Sequence, residues 1–134
     1  MKVLVDTAVW SLALRRGAPR TGDSVVGQLI DLIQAFRATI IGPIRQELLS
    51  GIKERAQYEL LRERLRAFPD LPLRTQDYEL AAEFFDSCRA KGVQGSNTDF
   101  LICAVAARRR LSIFTTDQDF ENYSRVLGVA LHGA

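Results

Sequence analysis

Four acidic residues occupy equivalent places along the chain. Each lies just after a predicted strand or in the first turns of the following helix: Asp6, Glu47, Asp99 and Asp117. Because ligands of open parallel sheets collect beyond the carboxyl ends of the strands, we expect these carboxylates to converge at one edge. Converging carboxylates repel, and a hard divalent cation relieves that repulsion. The absence of His and Cys close to these acids favours Mg²⁺ or Mn²⁺ over Zn²⁺. The pattern predicts metal-assisted hydrolysis of a phosphodiester.

Each acid taken alone also fits a purely structural role. Asp6 is a candidate N-cap of the first helix. Glu47 fits an exposed surface acid, and Asp99 fits an acid that stabilises a helix N-terminus through the helix dipole. The position that the four acids share, rather than any single residue, favours the functional interpretation.

The elements that must position these acids alternate between short β-branched stretches and amphipathic stretches. The predicted strands are 3–5, 38–41, 111–115 and, at an edge, 129–131, with a short extended segment at 71–73. The predicted helices are 8–16, 23–36, 43–50, 53–68, 75–90, 97–107 and 118–127. This alternation predicts a parallel α/β sandwich with helices on both faces of the sheet.

The helix that carries Asp99 in its first turn is the one that the pattern predicts to be most deeply buried. Residues 100–107 are all apolar, so the helix is apolar on every side. Ser96, Asn97 and Thr98 precede Asp99 and are suitable capping residues. A buried helix of this kind would hold the Asp99 carboxylate rigidly where the helix emerges from the core.

Composition limits the class of protein. The 134 residues predict a single domain, 1–134, and the 47% hydrophobic and 25% charged shares are typical of a globular protein. No apolar run approaches the roughly 20 residues of a membrane span, and an acid follows too soon after Met1 for a signal peptide, so we expect a cytoplasmic location. The spacing of Cys88, Cys103 and His132 does not favour a structural zinc site, and Cys103 is predicted to be a core residue.

Arginine-rich stretches leave two interpretations open. Arg108, Arg109 and Arg110 end the buried helix, where cations are favoured by the helix dipole, but they also suit contact with nucleic acid. The helix predicted at 53–68 has charges and leucines at helical spacing, which indicates either a solvated surface or a contact with RNA or a protein partner.

Four motifs together resemble those of the PIN-domain nucleases, specifically the VapC toxins of toxin–antitoxin pairs. They are Asp6-Thr7, Glu47-Leu48-Leu49-Ser50-Gly51, Asp99-Phe100-Leu101-Ile102-Cys103-Ala104 and Thr115-Thr116-Asp117-Gln118-Asp119-Phe120. The resemblance extends over essentially the whole chain. It implies a PIN-like three-layer α/β/α sandwich with a mainly parallel five-stranded sheet. It also implies a Mg²⁺-dependent endoribonuclease, with Mn²⁺ as a substitute, that forms a homodimer and is neutralised by a cognate antitoxin.

Carried over by motif, the resemblance assigns roles to individual residues. Asp6 and Asp99 match the principal metal ligands, Asp117 completes the cluster directly or through water, and Glu47 is an additional ligand or an aid to water activation. Supporting positions are also implied: Thr7 and Thr116, which can orient ligands or water, and Asp119, a second acid in the last motif.

Two other functions remain open at this point. One is a non-catalytic module of the same fold that binds RNA or protein. The other, less favoured, is a phosphohydrolase that uses Asp6 as its nucleophile. That reaction needs a lysine near the strand ends, and Lys2, Lys53 and Lys91 are poorly placed for it. The RNA target, the number of metal ions and the order of the assembly are not specified by the sequence.

Overall fold

The computed structural model describes residues 1–14 and 24–133, in which three strands and seven helices alternate. The elements in chain order are β1 (Val3–Val5), α1 (Thr7–Leu14), α2 (Ser24–Gln34), β2 (Ala38–Thr39), α3 (Gly42–Leu49), α4 (Arg55–Leu65), α5 (Thr75–Ala90), α6 (Asn97–Arg109), β3 (Ser112–Phe114) and α7 (Asp119–Leu127). The α/β class is therefore confirmed. The end of the first predicted helix, residues 15 and 16, lies outside the described residues.

The sheet is parallel, with β1 in the centre between β2 and β3. Val3 pairs with Ala38 on one side and with Ser112 on the other. The connections β1 to β2 and β2 to β3 run in opposite directions across the sheet. Because such crossovers are right-handed, their helices fall on opposite faces. All three strands end at one edge, which is where the acids were expected to meet.

The sheet has three strands in the described part of the chain rather than the five that the family resemblance implies. A single parallel bridge flanks each outer strand, between Ile40 and Asp70 and between Ile113 and Leu131. These bridges lie where two further strands would pair. Each bridge joins a single residue pair, so the predicted segments 71–73 and 129–131 do not form continuous strands among the described residues.

The buried helix of the sequence analysis is α6. Its residues Phe100 to Ala106 are all buried, including Cys103, whereas Ala107 is exposed. Ser96 caps the helix by accepting a hydrogen bond from the backbone N–H of Asp99 at 3.0 Å. The core prediction for Cys103 is therefore confirmed, and Asp99 lies in the first turn, immediately before the buried segment.

Two large apolar residues within the predicted helices 23–36 and 53–68 are exposed. Phe36 follows the end of α2 in a left-handed turn, with φ 57° and 86% of its surface exposed. Leu60 on α4 is 54% exposed, because Leu61 and Leu65 take the buried positions of that helix. None of the helices in the described ranges is both long and apolar enough to cross a lipid bilayer.

A buried acid that the sequence analysis did not single out connects α5 to α6. The Asp77 side chain is fully buried and accepts hydrogen bonds from Arg108 at 2.6 Å and Arg109 at 3.1 Å. The backbone N–H of Arg74 donates to the same carboxylate at 2.8 Å. Two of the three arginines at the end of α6 therefore pair with a core acid, a contact that the sequence pattern does not reveal.

Candidate functional site

Asp6 lies at the junction between β1 and α1, where the sheet fixes its backbone. Its N–H donates to the carbonyl of Phe114 at 2.9 Å, so the residue is tied to the end of β3. The side chain is buried, and Thr115 Oγ1 donates to its Oδ2 at 2.8 Å. Burial raises the pKa of Asp6 to about 6, assisted by the charges of Asp99 and Asp117 and opposed by hydrogen bonds from Thr115 and the backbone of Thr7.

Asp99 is held from a different direction, by a side chain of α7. The hydroxyl of Tyr123, which is fully buried, donates to Asp99 Oδ2 at 2.7 Å. Burial raises the pKa of Asp99, and the charges of Asp117 and Glu47 raise it further, against hydrogen bonds from Tyr123 and Ser96. Burial is the main cause that raises the pKa of the Tyr123 hydroxyl, and the Asp99 carboxylate raises it further. The hydroxyl therefore stays protonated and remains a hydrogen-bond donor.

Glu47 and Asp117 are more exposed but are also oriented by hydrogen bonds. Thr7 Oγ1 donates to Glu47 Oε1 at 2.7 Å, which links the start of α1 to the second turn of α3. Asp117 donates its backbone N–H to Thr115 Oγ1 at 3.0 Å. Its Oδ1 accepts a hydrogen bond from the backbone N–H of Asp119 at 2.9 Å. The structure therefore gives the backbone of Asp119, rather than its carboxylate, a contact with Asp117.

The four acids form one electrostatic cluster, named here the acid cluster: Asp6, Glu47, Asp99 and Asp117. Asp6 interacts with Asp99 and Asp117, and Asp99 interacts with Asp117 and Glu47. Every ion pair found in the described ranges involves other acids, so no Lys or Arg there neutralises the cluster.

The donor chemistry of the acid cluster fits a hard divalent cation, because all its side-chain donors are carboxylate oxygens. The carboxylates are nevertheless too far apart to coordinate such a cation as they stand. Among the described residues, no three His, Cys, Asp or Glu side chains lie close enough together to hold a metal ion. One oxygen of each carboxylate accepts a hydrogen bond from the protein. These contacts orient the acids, and an ion would have to draw the carboxylates closer together.

Three residues with a role at this site were missed by the sequence analysis. Thr115, rather than the exposed Thr116, contacts both Asp6 and Asp117. Tyr123 contacts Asp99 across 24 positions of the chain, which no local pattern reveals. Gly95 packs against Tyr123: a methyl group there would lie 2.8 Å from Cζ of the tyrosine and closer still to its hydroxyl.

Comparison with known proteins adds a family and a set of similar folds. Residues 3–126 match the PIN domain family. No curated protein matches the chain. Among solved structures, FitAcB from Neisseria gonorrhoeae has a TM-score of 0.77 at 24% identity, covering 96% of this chain and 95% of that one.

Two further solved structures share the fold. VapBC2 from Rickettsia felis, bound to a DNA fragment from its promoter, has a TM-score of 0.73 at 19% identity and covers 98% of both chains. VapBC-5 from Mycobacterium tuberculosis, a member of the VapBC family of toxin–antitoxin systems, has a TM-score of 0.65 at 22% identity, covering 96% of this chain and 93% of the other. Likeness at these identities establishes the fold.

Proposed function

The chain belongs to the PIN domain family, and from this premise we propose that it is a divalent-metal-dependent endoribonuclease, the toxin of a toxin–antitoxin pair. The observation that carries the proposal is the acid cluster, which gathers four carboxylates from separate segments and forms no ion pair with a Lys or Arg of the described residues. Gathering like charges around the buried Asp6 carboxylate is costly, and a structural role does not account for collecting them at one sheet edge.

Each residue of the cluster has a part in this proposal. Asp6, Asp99 and Asp117 would hold Mg²⁺ or Mn²⁺, with Glu47 as a further ligand or a group that orients the attacking water. The bound ion would supply an activated water and stabilise the charge that develops on the phosphodiester. Thr115 and Tyr123 hold the two more buried carboxylates in fixed orientations, and Thr7 holds Glu47. Such supporting hydrogen bonds adjust the position and basicity of metal ligands.

The proposed partners are a cognate antitoxin, a second copy of the chain and the RNA substrate. The similar solved structures include members of toxin–antitoxin systems, which supports an antitoxin partner. A cytoplasmic location, where RNA and a newly made antitoxin meet, is part of the proposal.

A comparison of the wild type with Asp99→Asn tests the enzymatic proposal. Both proteins are incubated with structured RNA in the presence of Mg²⁺, Mn²⁺ or a chelator. We expect the wild type to cleave only with metal and the variant to lose cleavage while remaining folded, since the substitution removes charge and little volume. Asp86→Asn, at an exposed acid of α5, is the matched control and should cleave normally.

Two results would contradict the proposal. Equal cleavage by the wild type and Asp99→Asn would mean that the acid cluster does not catalyse the reaction. Cleavage unaffected by the chelator would mean that the reaction does not depend on a metal ion. Tight RNA binding without cleavage under any divalent metal would instead favour the non-catalytic binding module.

A further inference from the structure

A pocket next to the acid cluster has the chemistry of a nucleobase site. It has a volume of 230 Å³ and lies where the end of α5, the following loop and the start of α6 meet. Its lining consists of Phe85, Arg89, Val93, Gln94, Gly95 and Phe100. Neither the sequence motifs nor the acid cluster account for this combination, which is here named the aromatic pocket.

The aromatic pocket combines an apolar interior with a polar rim. Phe100 is buried and Phe85 is half-buried, and their rings meet edge to face with centroids 5.6 Å apart. Arg89 and Gln94 are exposed, and their side chains form no hydrogen bond or ion pair with the rest of the described chain. The rim therefore offers a cation, an amide donor and an amide acceptor to a molecule from outside.

The aromatic pocket shares a wall with the acid cluster. Gly95 contacts the Tyr123 ring, and the centroid of Phe100 lies 5.1 Å from that of Tyr123. Tyr123 in turn donates its hydrogen bond to Asp99. The aromatic pocket and the Asp99 carboxylate are therefore separated by the Tyr123 side chain alone.

We propose that the aromatic pocket binds an unpaired nucleobase of the RNA strand, adjacent to the bond that is cut. Aromatic faces accept bases by stacking, and an amide side chain can pair with a base edge. Arg89 is placed at the rim to contact a phosphate oxygen. The inference rests on the proposed nuclease function, and it assigns the recognition of single-stranded RNA to residues outside the acid cluster.

Binding of a labelled, mixed-sequence 12-nucleotide RNA tests this assignment. Fluorescence anisotropy with a chelator present measures affinity without cleavage, and a 12-nucleotide strand with abasic positions is the second probe. Phe85→Leu removes the half-buried ring and keeps an apolar side chain. We expect it, and the abasic strand, to weaken binding roughly 5- to 150-fold.

A second variant tests the pocket with a substitution that should not disturb folding. Gln94→Ala changes an exposed side chain and should weaken binding of the normal strand, with little further effect on the abasic strand. Gln57→Ala, at an exposed glutamine of α4, is the matched control and should bind like the wild type. Circular dichroism verifies that all the variants are folded.

The outcomes separate this inference from the proposed function. Unchanged affinity in both pocket variants, or equal binding of the normal and abasic strands, would overturn the base site even where Mg²⁺-dependent cleavage persists. Pocket-dependent binding without any cleavage would support the base site and contradict the nuclease.

Discussion

Asp6 illustrates how a single residue combines a functional placement with a cost to stability. Its pKa is raised to about 6 in the folded protein, mainly by burial. A raised pKa means that the folded state holds the proton more tightly than the unfolded chain. The resulting stabilisation is fully present below the unfolded pKa of about 4 and is lost as the pH rises through about 6, by about 2–3 kcal/mol.

Asp6→Asn should therefore raise the free energy of unfolding at pH 7.5 and have little effect at pH 4. Denaturant unfolding with a chelator present measures this difference, since a bound cation would mask it. Asn keeps an oxygen that can accept the hydrogen bond from Thr115. Asp86→Asn, at an exposed acid, is the control and should give no pH-dependent difference. A variant that is less stable than the wild type at pH 7.5 would contradict the prediction.

Tyr123 is expected to act as a positioning residue for Asp99. Tyr123→Phe removes only the hydroxyl that donates to Asp99 Oδ2. Loss of a hydrogen bond that orients a metal ligand typically lowers metal affinity or activity by about 10- to 100-fold. Calorimetric titration with Mn²⁺ measures the affinity, and RNA cleavage should show a lower kcat with a nearly unchanged KM.

The control for this substitution is Tyr78→Phe, which removes the hydroxyl of a tyrosine that is 55% exposed on α5. It should bind Mn²⁺ and cleave RNA like the wild type. Gly95→Ala offers a second route to the same effect, because its methyl group would displace the Tyr123 ring. Normal Mn²⁺ affinity in Tyr123→Phe would show that Asp99 needs no such support.

At the scale of elements, the contact between α5 and α6 depends on Asp77. Burial raises the pKa of Asp77, but hydrogen bonds from the Arg74 backbone and from Arg108, with the charge of Arg109, outweigh burial and hold the pKa below its usual value. The stabilisation is thus present at neutral pH and lost in acid as the pH falls through that lowered pKa, the reverse of Asp6.

Asp77→Asn should lower the free energy of unfolding at pH 7 by about 3–5 kcal/mol, because it leaves two arginines without their buried counter-charge. Denaturant unfolding measures the loss. Glu83→Gln, which neutralises an exposed acid on the same helix, should change stability by less than about 0.5 kcal/mol. A loss in Asp77→Asn no larger than that of the control would mean that the Asp77 ion pairs make no net contribution to stability.

How far the sequence predicts these elements depends on whether the signal is local. The bounds of α5 and the capping of α6 by Ser96 follow from nearby residues, and the prediction agrees with the structure. The exposure of Phe36 does not follow from nearby residues, because α2 ends before Phe36, which lies in a left-handed turn. The two arginines that pair with Asp77, and the carboxylate that Tyr123 contacts, lie 24 or more positions away, and helical periodicity contains no information about such pairs.

At the scale of the whole molecule, the acid cluster exists only when the fold is complete. Its members come from the end of β1, from α3, from the start of α6 and from the segment after β3, so the unfolded chain has no such concentration of charge. The repulsion among them is therefore a cost of folding. A cation that binds the folded chain alone should offset it and stabilise the protein by mass action.

Mg²⁺ should accordingly raise the Tm of the wild type in a saturable way. At a free Mg²⁺ concentration 100 times the Kd, linkage gives about 2.7 kcal/mol, or roughly 8–15 °C for a domain of this size. Asp6→Asn and Asp99→Asn should start with a higher Tm without metal and lose the Mg²⁺-dependent rise, whereas Asp86→Asn should keep it. Differential scanning fluorimetry across a Mg²⁺ titration distinguishes these cases. A wild-type Tm that does not respond to Mg²⁺ or Mn²⁺ would mean that the four carboxylates converge without binding a metal ion.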